Sequence, residues 1–261
     1  MAMPTNRISL ISDVRPDERG RRRSSRRAGP EHLRHRMSLP LGIIAIVGGL
    51  VLGAMALPHL AAAIAVAQAR PIAERYISGE RGPYLADVEH AGDRLALALS
   101  LAPDADTAVL LADLRLWQAR RATDRETFVA FARRSVEAAK VAVRKAPSHP
   151  TAWTALADAL EALSPGDASV VAPLSRALQV APYDPRRRRT RVDLAMRHWQ
   201  ALAPQAQRAA GPPIIAMARA DIDVLAKLTK RNLALAAVRD TLAADAELAR
   251  RFDAVYIALP N

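Results

Sequence analysis

From Met37 to Ala69 no position carries a charge. Leu41 to Leu57 is almost wholly apolar, and Leu60 to Ala67 carries the run past Pro58. A helix needs about 20 apolar residues to cross a bilayer, so the run predicts a spanning helix. After Tyr84 the pattern changes. Apolar residues recur at intervals of three and four, with no period-two alternation, which predicts amphipathic helices and no strands. Trp153, Leu156, Ala157, Leu160 and Leu163 share one helical face. Ser164-Pro165-Gly166-Asp167 makes a turn. Val170, Leu174, Ala177 and Leu178 then line the face of a second helix.

Residues 107–119 and 126–145 predict another pair, joined across Arg120–Arg125. Further on, Val192, Ala195, Met196, Trp199 and Leu202 share a face. Three more helices are expected near 212–229, 231–244 and 246–258. Alanine and leucine dominate, and both favour helix. Proline punctuates the body. Amphipathic segments close at Pro103, Pro147 and Pro182. Two of these corners are closely similar, Ala146-Pro147-Ser148-His149-Pro150 and Ala181-Pro182-Tyr183-Asp184-Pro185. The first proline ends one helix and the second can open the next.

The unit "HPTAWTALADALEAL…APLSRALQVAP" resembles a tetratricopeptide repeat. Its repeat-packing positions would be Trp153, Leu156, Ala157, Leu160, Leu174, Ala177 and Pro182: small residues where helices approach closely, large ones in the gaps. The spacing departs from the ideal by one residue, so the unit is degenerate, and the resemblance covers about residues 95–203. The layout as a whole is similar to small inner-membrane proteins of exopolysaccharide loci, related to the Vps-type polysaccharide biosynthesis proteins. That resemblance rests on the anchor, "HPTAWTALADAL", "LSRALQVAPYDP" and "VDLAMRHWQALAP". It implies a pathway, envelope polymer synthesis or export, more than a mechanism.

Charge sets the expected orientation. The net charge is +12, but residues 1–37 alone hold ten arginines against four acids. Only Lys140, Lys145, Lys227 and Lys230 are lysine, which suggests a GC-rich coding bias. Residues 1–37 offer no apolar face and read as a disordered tail. Seven arginines lie between Arg21 and Arg36, so the positive-inside bias puts the N-terminus in the cytoplasm. The body is then periplasmic in a Gram-negative cell, with the protein in the inner membrane. A cleaved leader is the rival reading: Ala54-Met55-Ala56 is a small-x-small site after Leu41–Gly53. The long tail and the continuation of the run favour a retained anchor. The expected organisation is a tail over 1–37, an anchor over 38–69 and a helical domain over 70–261. With no cysteine, disulfides and thiol chemistry are excluded.

Candidates for chemistry are few. His32 and His35 sit in the basic tail, His149 at a helix corner and His198 beside Trp199, none within a ligand-spaced cluster. No G-x-S-x-G, Walker or dinucleotide glycine pattern occurs. Asp221 and Asp223 would face different ways on a helix. No enzyme, metal or cofactor is therefore expected. Arg186, Arg187, Arg188, Arg189 and Arg191 open a helix and oppose its dipole. They read either as a solvated run or as a contact for a polyanion: acidic polysaccharide, lipid headgroups or nucleic acid. The first expectation is an interaction protein with a groove for protein partners; the polyanion-binding module is the second.

Overall fold

The computed structural model describes residues 31–78 and 85–260. The described residues are all-helical, with eleven α-helices and no strand. These are α1 (Glu31–Ile77), α2 (Leu85–Leu101), α3 (Ala105–Arg121), α4 (Arg125–Lys145), α5 (Pro150–Leu163), α6 (Val171–Val180), α7 (Arg188–Arg197), α8 (Pro204–Ala220), α9 (Ile222–Arg231), α10 (Leu235–Leu242) and α11 (Ala246–Ala258). The chain divides into one unit over residues 1–51 and a second over residues 52–261.

In the first unit the described chain is helical, and its residues from Ile44 to Val51 are all exposed. Helix α1 opens at Glu31, inside the stretch expected as tail; the rest of that tail, residues 1–30, lies outside the described residues. The side chains of His32 and His35 lie outside them too. Helix α1 also runs on to Ile77, beyond the expected anchor end at Ala69, with Pro58 and Pro71 inside it. Ile44–Ile77 is the one helix among the described residues long and apolar enough to cross a membrane.

The second unit packs its helices largely in chain order. Helix α2 lies on α3, α3 on α4, α4 on α5 and α5 on α6; α3 also meets α5, and α5 meets α7. One core joins Ala69, Ala73 and Tyr76 at the end of α1 to α2, α3, α4 and the first half of α5. A second runs from Ala157 through α6–α11, with Phe252 and Leu178 fully buried. Helix α5 belongs to both: Ala155 and Ala159 face the first, Ala157 the second. The α3–α4 contact is lined by alanines, and Ser135 Oγ donates to the Ala112 carbonyl at 2.7 Å. Small side chains let the two axes come close enough for that bond.

Caps set the helix starts. Asp104, Asp124, Asp221 and Asp245 accept from the backbone N–H three residues on, opening α3, α4, α9 and α11. Each satisfies a donor with no partner inside the helix. His149 opens α5, its Nδ1 accepting from Ala152 N at 3.3 Å, with Pro150 as the first helical residue. The turn before α6 is a single 3₁₀ turn, Ala168–Val170, capped by Asp167.

Where the fold departs from the pattern, backbone chemistry wins. The helix expected near 212–229 is two, α8 and α9, separated at Asp221. Pro204 opens α8, so Pro212 and Pro213 lie inside it instead of starting it. Asp221 adopts φ −156° and caps α9, so it is a structural cap and no partner of Asp223. The helix through Trp199 stops at Arg197, and Trp199–Ala201 forms a separate 3₁₀ turn. The helix expected near 231–244 shrinks to Leu235–Leu242, because Leu233 ends α9 at φ 53°.

Candidate functional site

The hairpin of α5 and α6 puts its predicted residues together. Leu156, Ala157, Leu174 and Ala177 are buried, with Leu160 and Trp153 half-buried against the cores. Trp153 Nε1 donates to the Pro147 carbonyl at 2.7 Å, which ties α5 to the corner before it. Pro182 stands in the turn that follows α6. These residues build the scaffold of the hairpin.

The structure splits the arginine run by burial. Arg187 sits at φ 53° and turns its guanidinium onto Asp113 of α3, forming a half-buried ion pair. Burial pulls that guanidinium down to about 10, and the Arg191 charge adds to the effect; it stays a cation at neutral pH. Arg191 is fully buried and donates to the Asp184 carbonyl and, at 2.7 Å, to the Arg186 carbonyl. Burial likewise lowers Arg191, against the pull of Asp184. Arg188 is half-buried. Of the five, Arg186 and Arg189 are exposed. The local rule against cations at a helix start is broken because two of them hold the turn together.

Arg189 opens into a cleft of about 330 Å³ lined by Arg120 of α3, Asp158 of α5, Thr190, Asp193 and Arg197 of α7, and Leu228 and Arg231 of α9. Arg120 pairs with Asp158 at 2.7 Å. Arg197 bridges Glu161 at 2.8 Å and Asp193 at 3.4 Å. Asp193 also receives Arg231 and, at 2.7 Å, Asn232 Nδ2. Arg189 makes no ion pair among the described residues. Behind the cleft lies a buried pair, Glu161 Oε2 and His198 Nε2, 2.7 Å apart.

Electrostatics follow burial. Burial pushes the Asp158 carboxyl up, while Arg120 pulls it back only in part. Burial also acts against Glu161, but hydrogen bonds from Arg197, His198 and the Gly166 N–H hold its carboxyl below the usual range. Burial opposes the Arg197 charge, yet Glu161 and Asp193 raise its guanidinium above the ordinary value. Four guanidinia against two lining carboxylates leave a positive surface with one free planar fork. Such forks recognise carboxylate or phosphate through paired N–H donors.

The four arginines come from positions 120, 189, 197 and 231, too far apart for any motif to join them. Of the predicted polyanion contacts only Arg189 reaches the cleft. His149 caps α5 and faces Asp106 across 3.2 Å. Among the described residues no three His, Cys, Asp or Glu side chains gather as a metal site. Comparison with protein-family models, curated proteins and solved structures finds no match.

Proposed function

We propose that this chain is a membrane-anchored interaction protein. Helix α1 holds it in a bacterial inner membrane with the N-terminus in the cytoplasm, and a tetratricopeptide-like array of helical hairpins works in the periplasm. Support for the array comes from helices packed in chain order, with α3, α5 and α7 touching across the intervening helices. Support for the anchor comes from the exposed apolar stretch of α1, where Leu50, Leu52, Met55 and Leu57 are all exposed. The resemblance in layout to Vps-type proteins favours a role in assembling exopolysaccharide or envelope polymer machinery.

The cleft carries this reading. Its charged side chains come from α3, α5, α7 and α9, so only the folded array creates it. A partner segment bearing a carboxylate is the ligand its free Arg189 fork suits. Photo-crosslinking from Thr190 in intact cells tests this. A partner protein should be captured, and capture should fall when Arg189 and Arg197 are replaced by Gln. No capture, or capture that ignores those replacements, contradicts it.

Binding of an acidic polysaccharide is the second reading, favoured by the exposed Arg186 next to the cleft residue Arg189. Binding of oligouronates that weakens steeply with salt and depends on Arg186 and Arg189 supports it.

A further inference from the structure

We propose that a second surface, the trough between α2 and α4, docks an acidic amphipathic helix of a partner protein. The trough has a volume of about 670 Å³ and is floored by α3. Its apolar lining comes from Ala96 and Leu99 of α2, Leu111 of α3, and Ala138 and Val141 of α4, with charged side chains beside it. The alanines leave room for another helix axis to approach closely. A helix laid there would complete the layer that α2, α3 and α4 begin.

The charges on the trough select the occupant. Arg115 is already committed: its side chain is 8% exposed, and it donates to Gln118 at 2.9 Å and Asp93 at 3.2 Å. It lies so tightly over Gly92 that a Cβ there would stand 2.8 Å from the guanidinium carbon. Glu137 is held by Lys140 at 2.8 Å. Arg133, Arg134 and Arg144 are exposed and make no ion pair among the described residues, but Arg134 lies over the Phe131 ring, which leaves Arg133 and Arg144 uncommitted. These two stand on α4 about 16 Å apart along the axis, three helical turns. An apolar floor beside uncommitted cations on the α4 wall asks for a helix with apolar residues at three- and four-residue spacing and carboxylates along the flank that faces α4. A polysaccharide would leave the floor unused. The chain's own N-terminal tail has the wrong sign, with ten arginines.

The trough lies on the opposite side of α3 from the arginine cleft. Leu111 and Arg115 point one way, Asp113 and Arg120 the other, and the two surfaces share no residue. The inference therefore stands apart from the cleft reading, and the two can fail separately.

Selection from a random 14-residue peptide library on the full chain in nanodiscs tests it. Enriched peptides should be acidic and amphipathic. Replacing Arg133 and Arg144 together by Gln should weaken them about tenfold and flatten their salt dependence. Replacing Arg120 and Arg231 in the cleft should leave them unchanged. No enrichment, enrichment of basic or non-amphipathic peptides, or indifference to Arg133 and Arg144 overturns the proposal. Loss of phosphatidylglycerol-vesicle binding in the Arg133 and Arg144 variant, without loss of peptide binding, also overturns it and marks a lipid-facing surface.

Discussion

Glu161 of α5 and His198 at the end of α7 face each other at 2.7 Å, with side chains 4% and 5% exposed. The same carboxylate takes Arg197 at 2.8 Å and the Gly166 N–H at 3.2 Å. One side chain thus joins the turn before α6 to the break after α7. Glu161→Ala should cost about 3–5 kcal/mol, because the buried His198 loses its carboxylate partner and Arg197 keeps only Asp193. Glu161→Gln keeps the shape and should cost about 1–2 kcal/mol. Denaturant unfolding of the full chain in detergent reads both values.

The same site fixes a pH dependence. The folded Glu161 carboxyl lies below its usual value of 4.5. Its contribution is therefore complete above about pH 4.5 and fades as pH falls through the lower folded value. Asp158 has the opposite sign, raised from its usual 3.8 by burial. Folding holds its proton, so stability falls as pH rises from 3.8 through the raised value. Unfolding midpoints across pH 3–7 should show the wild-type advantage over Glu161→Gln shrinking in acid. The advantage of wild type over Asp158→Asn should instead decline as pH rises through that window.

Arginine replacements should separate by burial. Arg191→Met strands the Asp184 and Arg186 carbonyls and should cost about 2–4 kcal/mol. Arg186→Gln should cost under about 0.5 kcal/mol. Equal effects at the two sites would contradict the split of the run.

Leu233 offers the converse test. It is 89% exposed at φ 53°, and it ends α9 in a motif where Ala234 N–H reaches the Thr229 carbonyl at 3.1 Å and Leu233 N–H reaches Lys230. Glycine is the natural residue at that position. Leu233→Gly should stabilise by about 0.5–1 kcal/mol, since no packing is lost and the left-handed backbone is relieved. A lower thermal midpoint would contradict this.

The hairpin of α5 and α6 was legible because its signals are local: prolines at both corners, a turn sequence, and apolar residues at helical spacing. Residues 107–119 and 126–145 were legible for the same reason. The break at Asp221 was harder, since Pro212 and Pro213 suggest a helix start while the cap lies eight residues beyond. The arginine run could not be sorted locally, because what turns Arg187 inward is Asp113, on another helix. The cleft has no sequence signal, as its four arginines meet only through tertiary packing.

The central claim is an anchor with the helical body across the membrane. The chain has no cysteine, so single cysteines report cleanly. Ser12→Cys and the exposed Ser148→Cys are to be labelled in intact spheroplasts with a membrane-impermeant maleimide. The account predicts labelling at Ser148→Cys, protection at Ser12→Cys until lysis, and a full-length protein that pellets with membranes. The reverse labelling pattern, or a soluble product beginning near Leu57, would contradict it.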